Sequence, residues 1–128
     1  MTSTPHIPVS WGELIDKLTI LEIKTERLPD AGARANAAHE LALLRAVAAP
    51  ALAADCAALA AELKGLNQAL WEIEDRIRAH ERDGDFGSGF VELARSVYRT
   101  NDARGAVKRQ INLLLGSELI EEKGYQPY

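Results

Sequence analysis

Near the end of this chain, polar side chains occupy a helical face that should be oily. Phe90, Leu93, Ala94, Val97, Ile111 and Leu115 fall on one side of a helix at about 100° per residue, and Asn101, Arg104, Lys108 and Asn112 fall on that same side. A cation on a buried face is costly unless an anion meets it. Arg104 and Lys108 therefore call for a carboxylate on another helix or for a bound anion. Two carboxylates are placed to answer. Glu22 lies between Ile15 and Leu18 on the main apolar face of an N-terminal helix, and Glu74 borders Leu70, Ile73 and Ile77 on a long central one. Two readings follow. In one, Glu22, Glu74, Arg104 and Lys108, with Asn101, form a buried ion-pair layer that fixes helix register and binds nothing. In the other, the same groups line a mixed-charge pocket between helices. The glutamates would then be acid/base or hydrogen-bonding groups, and the cations would hold a small anion or polar substrate.

Arg95, Tyr98 and Arg99 are secondary candidates. The two arginines stand one turn apart, as phosphate recognition requires, yet Glu92 and Asp102 sit at the spacing of ordinary surface pairs with them. His6, His39 and His80 share no ligand spacing, and Cys56 is the only cysteine, so neither a metal site nor an internal disulfide is expected. Glu72, Glu74 and Asp75 lack the Glu-x-x-His of a di-iron bundle. The chain has no phosphate loop, dinucleotide fingerprint or nucleophile elbow. No catalytic residue and no cofactor are predicted.

The elements that must hold these groups are helices. Ser10 and Glu13 make an S-x-x-E capping box that opens a helix from Trp11 to about Leu28, stopped by Pro29, Asp30 and Gly32. Leu14, Ile15, Leu18 and Leu21 form its main face, with Ile20 and Ile23 opposite. Such a helix is either central in the bundle or meets another subunit. A second helix is expected from about Arg34 to Ala48, broken or restarted at Pro50. A third, from about Ala51 to Arg82, carries Leu52, Cys56, Leu59, Leu63, Leu66, Leu70, Ile73 and Ile77 in alternating steps of four and three, a coiled-coil-type seam. The stretch 83–89 is a glycine-rich loop. A fourth helix runs from about Ser88 to Leu115, with Gly116 past its end and an interruption at Asn101–Asp102 left open. A short helical turn is expected at Ser117–Lys123, with 1–9 an extended arm and 124–128 a tail.

Composition agrees with this layout. The 128 residues suit one domain, 47% hydrophobic and 27% charged. Aromatic residues are only 5%, while alanine and leucine abound, which favours close-packed helices over sheets. A net charge of −4 argues against general nucleic-acid binding. Residues 1–10 lack the basic start and apolar core of a signal peptide, and no apolar stretch reaches about 18 residues. The expected compartment is the cytoplasm, with no membrane span.

Several strings look familiar together. They are Ile7 to Lys24 (IPVSWGELIDKLTILEIK), Leu70 to Asp75 (LWEIED), Phe90 to Asp102 (FVELARSVYRTND) and Leu114 to Lys123 (LLGSELIEEK). The chain resembles a bacterial family, domain of unknown function 6165, over nearly its whole length, with about 29–60 carrying none of the strings. The resemblance implies a small stand-alone protein linked to surface-polysaccharide or glycosyltransferase genes, and transfers no catalytic residue. Leu14-Ile15-Asp16-Lys17-Leu18 with Ile20-Leu21 is also similar to the first helix of the all-helical chorismate mutases. Glu13 stands where their basic residue is expected, and the later helices do not match, so the analogy is one of architecture.

The expected fold is all-α: a bundle of three long helices and one shorter one, its last two long helices an antiparallel hairpin. The leading functional expectation is a non-enzymatic accessory or interaction protein, a homodimer burying part of the first helix including Ile20 or Ile23, and open to another protein partner. The alternative is a small enzyme or anion-binding module using the pocket between helices.

Overall fold

The computed structural model describes residues 3–52 and 56–128. Four helices account for the regular structure: α1 (Trp11–Arg27), α2 (Ala31–Leu52), α3 (Ala57–Asp83) and α4 (Ser88–Leu114). Among the described residues there is no strand. The fold is all-α, with three long helices and α1 as the shorter one. None of these helices is long and apolar enough to cross a membrane.

α1 is the central element. It packs on α2 on one side and on α3 and α4 on the other, while α3 and α4 pack on each other as an antiparallel hairpin. This explains its apolar residues on opposite sides. Leu14, Ile15, Leu18 and Leu21 meet Ala37, Leu41 and Ala48 of α2, Leu63 of α3, and Val107 and Ile111 of α4 in one core. Each fully buried leucine or isoleucine contributes about 1.5–3 kcal/mol. Ile23 lies outside that cluster but is only 1% exposed, so the protomer itself buries it. Ile20 stays half-buried, and both line a groove with Leu70 and Trp71 of α3.

The expected break at Pro50 does not occur. Pro50 lies within the last turn of α2, which runs on to Leu52. Its ring removes one backbone donor, but Ala48 and Ala51 beside it are buried and the alanine-rich run favours helix. The helix expected from Ala51 to Arg82 is therefore divided. Ala51 and Leu52 close α2, Cys56 caps α3, and residues 53–55 lie outside the described residues. The seam is fully buried only at Cys56 and Leu63. From Leu66 to Ile77 it is half-buried. Burial also pushes the Cys56 thiol above its ordinary pKa.

That fading seam follows from helix length. α3 and α4 have 27 residues each, about 40 Å at 1.5 Å per residue, against 17 in α1, about 26 Å. The side-chain bonds of α1 to the hairpin stop at Glu72 on α3 and Arg104 on α4. From 73 to 99 only Leu93 is buried. The hairpin thus projects as a two-helix arm, turned at its tip by Gly84 at φ +67°, a left-handed position that favours glycine. Phe86 and Phe90 pack edge-to-face at the tip, ring centres 5.3 Å apart.

α4 is continuous through Asn101 and Asp102. Past it, the expected helical turn at Ser117–Lys123 is absent. Gly116, at φ +60°, turns the chain, and Ser117 is then fixed by bonds to three partners: its N–H donates to Asn112 O, and its Oγ accepts from Trp11 N–H and donates to Leu119 O. Those bonds lead the chain back along α4 instead of into another turn.

Candidate functional site

The polar groups of α4 are answered by a stripe on α1. Gly12, Asp16, Thr19 and Ile23 recur in steps of four, three and four, so they share one helical face, and all four are buried. That face meets Arg104, Lys108 and Asn112 of α4 and Asn67 of α3. Small side chains let the backbones come close. A Cβ on Gly12 would lie 2.5 Å from the backbone oxygen of Lys108.

Asp16 is the hub. Its side chain is 2% exposed, and Arg104 grips it with both edges of the fork: Nε to Oδ1 at 2.9 Å and Nη2 to Oδ2 at 2.5 Å. Asn67 Nδ2 donates to Asp16 Oδ1 at 2.9 Å and to Thr19 Oγ1 at 3.0 Å, while Thr19 Oγ1 donates to the Asp16 carbonyl. Arg104 Nη1 reaches Asn101 Oδ1 at 3.3 Å. The hydrogen bonds that Arg104 donates to Asp16 hold its pKa above the ordinary value.

Lys108, one turn along, has a side chain only 7% exposed. It bonds Glu13 Oε2 at 2.8 Å and Glu121 Oε1 at 3.0 Å. Burial opposes its charge, but the bonds from Glu13 and Glu121 outweigh that, and its pKa lies above the ordinary lysine value. The same bond from Lys108 holds the Glu121 carboxyl below the usual carboxylate range. Only half of the predicted capping box is used. Ser10 Oγ accepts the Glu13 N–H, while the Glu13 carboxylate turns to Lys108.

The N-terminus of α1 is closed by this arrangement. Trp11 N–H donates to Ser117 Oγ, Gly12 N–H to Asn112 Oδ1 at 2.7 Å, Glu13 N–H to Ser10 Oγ, and Leu14 N–H to Ser10 O. The N–H groups of the first turn, Trp11, Gly12 and Glu13, are thus all taken, so they form no vacant anion cradle. Among the described residues no buried side-chain nitrogen or oxygen lacks a partner.

The expected acids are elsewhere. Glu22 accepts from Lys64 of α3 at 3.2 Å and stands 3.9 Å from Arg45 of α2. Glu74 pairs with Arg78 on the surface of the arm. Neither joins Arg104 or Lys108, because Glu22 faces Lys64 and Arg45 between α3 and α2 and Glu74 lies on the arm surface, whereas Asp16 faces α4. Arg104 and Asn101 do come together, with Lys108 next along the layer. Arg95 and Arg99 both pair with Glu92 on the surface, and Tyr98 packs edge-to-face on Tyr128. Among the described residues no cluster of three potential metal ligands occurs. Asn112, read from the sequence on the same face as Arg104 and Lys108, joins the layer, and the residues missed from the sequence are Gly12, Glu13, Asp16, Thr19, Asn67 and Glu121. The four-three-four stripe on α1 was the available signal for Gly12, Asp16 and Thr19.

A cleft of about 530 Å³ opens beside this layer, between α4 and the returning C-terminal segment, with Arg104, Lys108, Arg109 and Glu121 in its walls. What the layer can do chemically is limited. Each of the two buried cations already holds a carboxylate. Neither a curated protein nor a solved structure matches the chain. A family model matches residues 6–128, and the chain belongs to that family, a family of unknown function (DUF6165).

Proposed function

We propose that this protein is a non-enzymatic helical interaction module that works as a homodimer and uses its layer of buried charge to fix the helices rather than to bind substrate. The carrying observation is the bidentate Asp16–Arg104 pair, closed by Asn67, Thr19 and Asn101 with no buried polar atom left over among the described residues. A closed layer holds register. Binding capacity lies instead on uncovered apolar surface. The arm leaves Phe86, Val91 and Tyr98 exposed, and the groove beside half-buried Ile20 continues onto Leu70 and Trp71 at its root. A second copy covering this groove at the root of the arm supplies the packing that α1 is too short to supply. Ile23 is already buried within the protomer, so Ile20 carries the α1 share of the contact. The place of the module in surface-polysaccharide or glycosyltransferase systems rests on the family resemblance alone.

Light scattering tests the dimer. The expected mass is twice the 14.0 kDa of the chain, and Ile20→Glu should return it to a single copy. A parent protein that stays at 14.0 kDa at micromolar concentration contradicts the reading. The alternative, a small enzyme or anion-binding module, draws its support from the cleft beside Lys108. It requires phosphate or citrate to raise the melting temperature of the parent protein.

A further inference from the structure

The C-terminal segment behaves like a ligand of its own protein. From Ser117 it returns along α4 against the helix direction, and its acids meet α4 cations in order: Glu121 with Lys108 and Glu122 with Arg109. Lys123 pairs back to Glu121 and lies over Gly105. Tyr128 ends the run, its hydroxyl donating to Asp102 at 2.6 Å and its ring against Tyr98. The receiving side is built. Lys108 is buried, and Glu13 holds it from α1 on the far side. Asp16 and Glu13 balance Arg104 and Lys108, and the charge left in the cleft walls for a further carboxylate is Arg109 and Lys123. The segment itself is poorly held. Every residue from 118 to 128 is exposed, including Leu119, Ile120 and Tyr125. Surface ion pairs of this kind are weak and salt-sensitive. What keeps the segment in place is its tether, which gives it a high effective concentration.

We propose that the cleft along α4 is an exchangeable docking site for an acidic peptide segment of a partner protein, and that residues 117–128 are its built-in occupant, with Glu121 standing in for the partner's carboxylate. A partner segment would place one carboxylate on Lys108 and a second on Arg109, as the chain's own segment does. This rests on the interaction-module reading but uses a different surface from the dimer contact, so either can fail alone.

The test uses the full chain and a fluorescent synthetic peptide with the sequence of residues 116–128, read by anisotropy. Glu121→Gln weakens the internal occupant at an exposed position and keeps Glu13 on Lys108. It should bind the peptide about tenfold more tightly than the parent does, the effect of one charge-assisted hydrogen bond. A peptide carrying glutamine at the position of Glu121 should lose that gain, a control that does not depend on any variant folding. Lys108→Met should abolish the difference between the two peptides. Equal binding of both peptides to parent and variant, or no binding to either, overturns the proposal. So does displacement of the peptide by millimolar inorganic phosphate alone, which would make the cleft a site for free anions.

Discussion

The two ends of the α3–α4 hairpin obey the same sequence rule and meet different fates. At the base, Leu63, Asn67, Val107 and Lys108 are buried under α1. At the arm, Ile73, Ile77, Phe90 and Val97 have equivalent spacing and stay half-exposed. A seam specifies which face two helices share. How deeply that face is buried depends on the third helix laid across it. α1 ends near Glu72, so the base carries the stability and the arm keeps the uncovered surface.

Truncations at the two ends should separate them most widely. Ile15→Ala removes a fully buried side chain at the base and should cost about 2–5 kcal/mol in denaturant melts. Ile77→Ala, on the arm, should cost less than about 1 kcal/mol, because a half-exposed position leaves no closed cavity. Equal losses would mean that the arm is covered in solution, which a tight dimer through the arm would produce. Gly12→Ala comes next. Its new Cβ collides with the Lys108 carbonyl, and backbone cannot swing aside, so about 1–3 kcal/mol should be lost. A neutral result would show that α1 and α4 are farther apart than described.

Hydrogen exchange sharpens the same contrast without mutation. Amides from 73 to 99 should open locally at lower free energy than those from 104 to 112, whose helix is clamped by Asp16 and Glu13. The smallest effect concerns pH. Lys108 holds the folded pKa of Glu121 below its ordinary 4.5, so the contribution of this pair is complete above that value and is lost as pH falls through the lower folded value. Exchange protection of the Ser117 amide should drop over that acid range, and Glu121→Gln should flatten the drop. A profile unchanged by Glu121→Gln would place the control of the segment elsewhere.

Much of this was legible in the sequence. The helix of Trp11, its Ser10 cap, the loop at 83–89 and the stop at Gly116 each follow from local chemistry that tertiary packing did not override. Arg104 and Lys108 announced a buried charge layer because cations on an oily face need partners. Their partners were harder to read. Glu22 sits among leucines and attracted the assignment, yet its neighbours across the core are Lys64 and Arg45. Asp16 sits on a face marked by small size, through Gly12 and Thr19, and hydrophobic periodicity is blind to small size. Pro50 misled for a different reason: near the end of a helix its missing donor removes little, and buried alanines on both sides carry the helix past it. The return of residues 117–128 depends on long-range pairs with α4 that no local pattern encodes.

The central claim is that the Asp16–Arg104 layer is a lock rather than a binding site, and a double-mutant cycle with thermal melts tests it most directly. Arg104→Met strands Asp16, whose side chain is 2% exposed, and should cost about 3–5 kcal/mol. Combining it with Asp16→Leu should recover much of that loss, and phosphate or citrate should leave the parent melt unmoved. A near-zero cost for Arg104→Met, together with a parent melt that rises with added anion, would contradict the lock and make the layer a ligand site.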